Sequence, residues 1–457
     1  MVPSMGTKPE LFGTDGIRGV AGRYPLDQST LLKLGSALGT VLRNSSRPVR
    51  VVLGKDTRES NEWISRALAA GLAATGAAVV DSGIITTPGV AFLTRQHAFS
   101  AGVMVSASHN PYQDNGIKLL SNAGTKLPES LELEIEGLLD SFTTMSAAGS
   151  SESVLEPAAQ LLEDYVGFLA ELASPSQRLS NIRVVADFAN GSATRVVPPL
   201  LKRLGIQSRA LNSTPTGRNI NLDCGSLHPE TMADETKASS ADLGVAFDGD
   251  ADRAIFSLPD GRIADGDHVL YAAATSLHEH GKLKGNSVVG TLMTNLGLEV
   301  ALGQHGIGLK RTPVGDKYVL EEMLRSGINL GGEPSGHIIF SDISLAGDGI
   351  ITLLQVLRLL DETGKSLTEL VKPLKQFPQI IRNVRVRERI PLDSFPEVNH
   401  AVSEFRREAG DRGRVVVRYS GTEPLARVMV EAQEAELVER HAGLIAGAIE
   451  LVLGAGK

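Results

Sequence analysis

Four polar loops in this 457-residue sequence combine residue types that could act on an anionic substrate. The first, residues 106–111, follows the apolar run 102–105 and presents the hydroxyl of Ser108 just before a His–Asn–Pro turn. A serine hydroxyl becomes a nucleophile when a base or a strong electrophile lies beside it. The alternative is an ordinary Asn–Pro turn with capping serines. Ser108 is therefore a candidate nucleophile whose role depends on the other loops.

The second loop follows the apolar run 243–247 and carries carboxylates at three alternate positions, Asp248, Asp250 and Asp252. If the loop curls at Gly249, these oxygens can converge on one cation, and oxygen ligands favour Mg²⁺ or Ca²⁺ over zinc. A calcium loop of the EF-hand type does not fit, because its sixth and twelfth positions would be Arg253 and Pro259. A solvated acidic turn is the alternative. We predict a metal site, and the adjacent Arg253 suits a phosphate ligand.

The third loop, residues 331–337, is rich in glycine and contains Glu333, Ser335 and His337. Together these side chains offer acceptors, donors and a titratable ring, which suits a ligand with many hydroxyl groups. A glycine-rich turn with a hydrogen-bonded histidine is the alternative.

The fourth loop, residues 418–424, combines arginine, hydroxyls and flexible backbone, with a second arginine just beyond it. Arginine side chains and backbone N–H groups can cradle an anion, and two arginines could pair with one phosphate. An ordinary hairpin connection is the alternative. The candidate residues are Arg418, Ser420, Gly421, Thr422 and Arg427.

Three weaker signals accompany these loops. Residues 12–19 form a polar segment containing Arg18, and Lys118 follows Ser108 closely enough to return to the same site. Residues 312–317 precede a predicted helix, and a helix N-terminus suits phosphate. No segment matches the Rossmann or Walker A pattern, so we predict no nucleotide site.

The elements that must position these loops read as strands alternating with helices. Strands are predicted at 50–53, 79–80, 102–105, 182–185, 243–247, 287–289, 328–330, 380–386, 414–418 and 427–430. Helices are predicted at 61–74, 193–204, 229–239, 315–325, 394–408 and 434–453. Such alternation indicates βαβ units. Three stretches of similar length could repeat one fold, although no residue-level repeat is visible.

Composition shifts suggest where the domains divide. Residues 143–159 are rich in Ser, Ala and Gly and read as a linker. Turn and proline signals place two further boundaries, which gives domains at 1–157, 158–260, 261–376 and 377–457.

The bulk composition excludes several classes of protein. The net charge is −8 and aromatic residues make up 4 %, which disfavours a nucleic-acid partner or an anionic membrane. Cys224 is the only cysteine, so no intrachain disulfide can form, and we read it as a packing residue. No signal peptide or membrane span is predicted, so we expect a cytoplasmic protein.

Taken in order, the four loops resemble the signature loops of the α-D-phosphohexomutase superfamily. The matching segments are S-A-S-H-N-P, D-G-D-A-D-R, G-E-P-S-G-H and R-Y-S-G-T-E-P. Residues 11–19, 221–230, 315–320 and 421–431 are most similar to bacterial members that act on glucosamine phosphates. The resemblance implies three similar mixed-sheet α/β domains, then a smaller α+β domain, around a central cleft.

The resemblance also implies roles for the candidate residues. Ser108 would carry a phosphate and, with the three aspartates, hold one Mg²⁺ per chain beside Arg253. Lys118 and His337 would transfer protons, and Arg18 would support the transferring phosphoryl group. Glu333 and Ser335 would bind sugar hydroxyls, and the fourth loop would hold the phosphate that is not reacting.

The implied reaction interconverts glucosamine 6-phosphate and glucosamine 1-phosphate, as a step of amino-sugar metabolism that supplies cell-wall precursors. It would pass through a phosphoserine enzyme and a 1,6-bisphosphate, with a glucosamine or glucose 1,6-bisphosphate as activator, in a chain that could form a homodimer. Three alternatives stay open. They are a phosphoglucomutase/phosphomannomutase of the same fold, a Mg²⁺-dependent sugar phosphatase, and a non-catalytic phosphosugar-binding regulator.

Overall fold

Four separate sheets follow one another along the chain, and each is covered by helices. The computed structural model describes residues 9–13, 15–43, 48–142, 155–173, 179–420 and 424–455. The predicted fold class is confirmed, since three mixed sheets precede a smaller antiparallel one.

The first domain has a six-stranded sheet in the order β1-β5-β4-β2-β3-β6. Its elements are β1 (Ile17–Val20), α1 (Gln28–Leu42), β2 (Arg50–Lys55), α2 (Asn61–Ala74), β3 (Ala78–Ile84), α3 (Thr87–Gln96), β4 (Ala101–Val105), β5 (Asp114–Ser121), α4 (Glu129–Leu139) and β6 (Leu155–Pro157). Strand β4 is buried at every position, as its unbroken apolar run predicts for a central strand. Helix α1 begins at Asp27, whose carboxylate caps the helix by accepting from the Thr30 amide at 3.0 Å.

The second and third domains have five and four strands, in the orders β11-β10-β9-β7-β8 and β13-β12-β14-β15. The second contains α5 (Gln160–Leu172), β7 (Arg183–Asp187), α6 (Ala193–Arg203), β8 (Gln207–Leu211), α7 (Glu230–Ala238), β9 (Leu243–Phe247), β10 (Ala254–Ser257) and β11 (Ile263–Ala264). The third contains α8 (Gly266–Glu279), β12 (Ser287–Thr291), α9 (Leu296–Gly303), β13 (Gly308–Thr312), α10 (Asp316–Ser326), β14 (Leu330–Gly332), β15 (Ile338–Phe340), α11 (Gly349–Thr363) and α12 (Leu367–Val371).

These three sheets share one strand order. Four strands are equivalent in each sheet, in the orders β5-β4-β2-β3, β10-β9-β7-β8 and β15-β14-β12-β13. In each order the first pair of strands is antiparallel and the other two pairs are parallel. The first three candidate loops therefore occupy the same place, where a central parallel strand turns into an antiparallel neighbour. This is the fold repeat that the spacing suggested, and it places each loop at the carboxyl end of a strand.

The fourth domain is a three-stranded antiparallel sheet in the order β16-β18-β17, packed on two helices. Its elements are β16 (Gln379–Arg385), α13 (Pro396–Ala409), β17 (Gly413–Tyr419), β18 (Leu425–Ala432) and α14 (Ala435–Leu453). The buried Glu431 carboxylate accepts from the Leu296 amide of the third domain at 2.9 Å and pairs with Arg414 at 2.7 Å. Arg414 also donates to the carbonyl of Leu292 at 2.8 Å, so this ion pair docks the fourth domain onto the third.

Two features differ from the sequence prediction. Strand β14 lies two residues later than the predicted 328–330, because Gly331 and Gly332 belong to it. A side chain at Gly331 would lie 2.6 Å from the sulfur of Met323, so glycine is needed for packing there although glycine usually indicates a loop. Of the predicted linker, residues 155–157 form edge strand β6 against β3, whereas 143–154 lie outside the described residues. The boundary predicted after residue 260 falls between the paired strands β10 and β11.

Candidate active site

Ser108 lies at the carboxyl end of β4 and meets a loop of the second domain. Its Oγ donates to Asp248 Oδ2 at 2.5 Å and lies 3.4 Å from Nδ1 of His109. Its backbone has a φ of +52°, in the left-handed region, and its amide donates to Ser106 Oγ at 2.9 Å. The turn therefore aims a buried hydroxyl at the aspartates, in a conformation that non-glycine residues rarely adopt.

Two residues far away in the sequence fix the backbone of this turn. The guanidinium of Arg58 donates to the carbonyls of Ser108 and Asn110 at 3.0 and 2.8 Å, and pairs with the buried Asp56 at 2.9 Å. The amide of Asn221, from the second domain, donates to the same two carbonyls at 2.9 and 3.1 Å. The position of the hydroxyl is thus held from both domains.

The three aspartates after β9 lie together and are buried. The candidate ligand atoms of Asp248, Asp250 and Asp252 all lie within 4.8 Å of one another. Burial and the neighbouring Asp252 and Asp250 raise the pKa of Asp248 well above its usual range. Burial also acts to raise the pKa of Asp252, but the charges of Lys118 and His337 hold it well below that range. Such crowding of negative charge is relieved by a cation.

The aspartate oxygens fit a hard divalent metal. Oδ1 of Asp250 and Oδ1 of Asp252 are buried, and neither has a hydrogen-bond partner among the described residues. Buried oxygens without partners are costly unless a ligand satisfies them. The donor set contains only carboxylates, which is the chemistry that Mg²⁺ prefers.

Two cationic side chains surround the aspartates. Lys118, on β5, lies with Nζ 2.8 Å from Asp250 Oδ2 and 3.4 Å from Asp252 Oδ2. Arg253 donates its backbone N–H to Asp248 Oδ1 at 3.2 Å, and its Nε lies 3.9 Å from Asp252 Oδ1. Both cations therefore lie where they could stabilise the negative charge of a phosphate bound beside Ser108.

Arg18 comes to the same site from β1. Its Nη1 donates to the Ala107 carbonyl and to Asn110 Oδ1, each at 3.2 Å, and its Nη2 pairs with Asp15 at 2.5 Å. The polar N-terminal segment is thus packed against the Ser108 turn.

The third loop, between β14 and β15, brings His337 to the aspartate cluster. Nδ1 of His337 lies 3.8 Å from Asp252 Oδ2, and Glu333 Oε1 accepts from the Gly315 amide at 3.0 Å. Burial lowers the pKa of His337, but the adjacent Asp252 carboxylate outweighs it and raises the value to about 9. Ser335 Oγ is buried without a hydrogen-bond partner among the described residues. The loop therefore offers polar groups at the edge of the aspartate cluster.

The fourth loop connects β17 and β18, where Arg418 and Arg427 face each other across the strand pair. Burial and the nearby Arg427 charge lower the pKa of Arg418, which is the signature of two cations held close together. Ser420 is buried, whereas Gly421 and Thr422 lie outside the described residues. Between described residues, no hydrogen bond or ion pair joins Arg418 to the Ser108 cluster, so the structure brings together three of the four loops.

Several residues that build the site were not singled out from the sequence. Thr87, at the start of α3, donates to Asp250 Oδ2 at 2.5 Å, and Asp56 and Arg58 directly follow β2. The sequence could have indicated Asp56 and Arg58, because polar residues just after a buried parallel strand lie at the edge of the sheet where binding sites form. Cys224 is buried, and burial raises the pKa of its thiol to about 12, in agreement with a packing role.

Comparison with known families gives one consistent result along the chain. The family models of phosphoglucomutase/phosphomannomutase match in order. They are alpha/beta/alpha domains I, II and III at residues 9–144, 163–261 and 265–377, and the C-terminal domain at 382–448.

Individual relatives agree with these matches. A phosphoglucosamine mutase of Koribacter versatilis is 50 % identical over 452 residues, covering 97 % of each chain. A phosphoglucomutase/phosphomannomutase family protein of Burkholderia thailandensis shares the fold with a TM-score of 0.78 at 24 % identity, covering 96 % of this chain and 97 % of that one. The N-acetylphosphoglucosamine mutase of Aspergillus fumigatus, solved with GlcNAc-6P and magnesium, has a TM-score of 0.63 at 20 % identity, covering 89 % and 83 %.

In the part of the chain that the structure describes, no helix has the length and apolar character needed to span a membrane.

Proposed function

The chain belongs to the phosphoglucomutase/phosphomannomutase family, and from this membership we propose that it interconverts glucosamine 6-phosphate and glucosamine 1-phosphate. The amino-sugar substrate is supported by the 50 % identity to a phosphoglucosamine mutase over nearly the whole chain. The observation that carries the reaction is the 2.5 Å approach of Ser108 Oγ to Asp248 Oδ2, because it joins a nucleophile of one domain to the carboxylates of another.

In the proposed reaction, Ser108 carries a phosphate that passes to a hydroxyl of the bound sugar phosphate. The bond between Ser108 Oγ and phosphorus breaks, a sugar oxygen–phosphorus bond forms, and a 1,6-bisphosphate results. The phosphate that the substrate brought then passes to Ser108. Its sugar oxygen–phosphorus bond breaks, a new bond from Ser108 Oγ to phosphorus forms, and the product keeps the phosphate that the enzyme donated. Phosphoryl transfer depends mainly on alignment and charge stabilisation, which Arg18 and Arg253 supply around the turn.

Protons must also move, because the attacking hydroxyl loses one and the departing serine oxygen gains one. Lys118 and His337 are the candidates for these transfers, since both side chains lie against the aspartates.

We propose one Mg²⁺ per chain, held by Asp248, Asp250, Asp252 and an oxygen of the Ser108 phosphate. The buried oxygens without partners support this assignment. A bound Mg²⁺ neutralises phosphate charge and polarises the phosphorus centre.

The third and fourth loops would hold the two ends of the substrate. Glu333 and Ser335 are proposed to bind sugar hydroxyls. The cradle for the phosphate that is not reacting is proposed to comprise Arg418, Ser420, Gly421, Thr422 and Arg427. Since the intermediate must turn end for end, the fourth domain must open and close, and water must be excluded meanwhile.

A bisphosphosugar activator would supply the first phosphate to Ser108. The predicted domain boundaries, the cytoplasmic location and the homodimer stay predictions.

The test compares kcat/KM for glucosamine, glucose and mannose phosphates with one enzyme preparation. We expect the glucosamine phosphates to be preferred, because two phosphoglucosamine mutases are 50 % and 48 % identical to this chain over 97 % of its length. A preference for glucose or mannose 1-phosphate would reject the amino-sugar assignment. Release of inorganic phosphate much faster than isomerisation would instead indicate a phosphatase.

A further inference from the structure

Asp15 is an anion that contacts three cations at the edge of the site. Its Oδ2 lies 2.5 Å from Arg18 Nη2 and 3.2 Å from Lys118 Nζ, and its Oδ1 lies 2.9 Å from Lys126 Nζ. Burial acts to raise its pKa, but these three cations hold the pKa of Asp15 well below its usual range. The carboxylate is therefore charged throughout the physiological range of pH.

Lys118 lies between two sets of anions. On one side its ammonium is 2.8 Å from Asp250 and 3.4 Å from Asp252, and on the other it is 3.2 Å from Asp15. Its side chain is 3 % exposed, so water cannot replace a lost partner. A buried ammonium is stable only beside compensating negative charge.

A divalent ion in the aspartate cluster would compete with this lysine. Asp250 and Asp252 would then face both the metal and the Lys118 ammonium, and two cations at short range repel each other. Asp15 is not one of the three clustered aspartates. Its negative charge can therefore still compensate the Lys118 ammonium when the charges of Asp250 and Asp252 are compensated by the metal.

We propose that Asp15 is a positioning residue that retains Lys118 beside the metal site and thereby allows a divalent ion and the lysine to be bound together. The proposal rests on the metal-dependent function given above. Asp15 also pairs with Arg18, which contacts the Ser108 turn, so the same carboxylate orients two of the three cations at the site, Arg18 and Lys118.

The experiment measures Mg²⁺ binding by isothermal titration calorimetry on the full chain, with the phosphorylation state equalised and checked by intact mass. Asp15→Asn is nearly isosteric, removes the negative charge and replaces one acceptor oxygen by an amide NH2 donor. Because Lys118 then depends on Asp250 and Asp252 alone, we expect Mg²⁺ affinity to fall about tenfold. Lys118→Met removes the competing cation and is expected to bind Mg²⁺ more tightly than the wild type.

The double variant decides whether the effect passes through the lysine. In the Lys118→Met background, Asp15→Asn is expected to change the Mg²⁺ affinity by less than about twofold. Asp81→Asn is the matched control, because Asp81 pairs with Lys55 at 3.1 Å in the same domain, and no hydrogen bond or ion pair between described residues joins Asp81 to Lys118 or to the three aspartates. Its Mg²⁺ affinity is expected to equal that of the wild type.

Unchanged Mg²⁺ affinity in Asp15→Asn would overturn the proposal. So would a loss of Mg²⁺ affinity from Asp15→Asn that is as large in the Lys118→Met background as in the wild type, or a weaker Mg²⁺ affinity in Lys118→Met alone. In kinetics, Asp15→Asn is expected to lower kcat with little change in KM, since no hydrogen bond or ion pair between described residues joins Asp15 to the fourth-domain cradle. If the wild type binds Mg²⁺ but fails to interconvert glucosamine phosphates, the proposed substrate is wrong while the role of Asp15 is still tested by calorimetry.

Discussion

Replacement of Gly249 by alanine should separate the two loops that form the site. Gly249 lies between Asp248 and Asp250 and packs against the Ser108 turn. A Cβ at this position would lie 2.5 Å from the Ser108 carbonyl oxygen, 2.8 Å from Cδ1 of Ile220 and 3.0 Å from Nδ2 of Asn221. The nearest of these atoms belongs to the backbone, so the contact cannot be relieved by rotating a side chain.

The Ser108 carbonyl also cannot easily move away from a Cβ at residue 249. It accepts hydrogen bonds from Arg58 at 3.0 Å and from Asn221 at 2.9 Å, and both donors are anchored in the surrounding loops. Overpacking of this kind costs about 1–3 kcal/mol in the free energy of unfolding. A displacement of about 1 Å between reacting groups lowers turnover by about 10²-fold. We therefore expect Gly249→Ala to lower kcat/KM about 10²-fold, with a modest fall in the unfolding midpoint.

Gly137→Ala provides a control with the same substitution. Gly137 lies in α4, and among the described residues no atom outside its own stretch of helix lies within 4 Å of a Cβ built there. Alanine at a helix position is favoured over glycine by about 0.5–1 kcal/mol, so stability should rise slightly while kcat/KM stays unchanged. Steady-state kinetics and denaturant unfolding of both variants give the comparison. Wild-type kcat/KM and stability in Gly249→Ala would refute the close approach of the two loops.

Two further predictions concern the support of the turn and the substrate cradle. Arg58→Met should destabilise the first domain by about 3–5 kcal/mol, because it leaves the buried Asp56 carboxylate without its cationic partner and with only the neutral donors Ser106 and Asn61 beside its charge. An unchanged denaturant midpoint would contradict this. Arg418→Ala should raise KM for the phosphosugar more than it lowers kcat, because the arginine is proposed to hold the phosphate that is not reacting. An unchanged KM in steady-state kinetics would exclude Arg418 from the cradle.

Local sequence patterns were enough to place most elements and the candidate loops. Helix α2 was predicted with the bounds that the structure gives, 61–74, and strand β9 likewise at 243–247. Both have clear signals, an apolar face at helical spacing in one and an unbroken apolar run in the other. Ser108 and the three aspartates were found because polar residues directly follow buried strands.

The support of the site could not be read from the sequence in the same way. Arg58 is 50 residues from the carbonyl of Ser108 that it binds, and Asn221 is 113 residues from it. The Arg58 contact forms only after β2 and β4 have paired within the first domain, and the Asn221 contact forms only after the second domain has docked onto the first. No local pattern encodes either event. Asp15 lies in the polar segment 12–19, but its contacts with Lys118 and Lys126 depend on the pairing of β1 with β5 and on the loop after β5.

The phosphorylation of Ser108 is the claim on which the mechanism depends most directly. Intact-protein mass spectrometry with peptide mapping, before and after incubation with glucose 1,6-bisphosphate, measures it. We predict a gain of about 80 Da on the peptide that contains Ser108, and no gain in Ser108→Ala, whose mutase activity should fall by several orders of magnitude. Turnover by a protein that never carries phosphate on Ser108, or near-wild-type turnover by Ser108→Ala, would contradict the account.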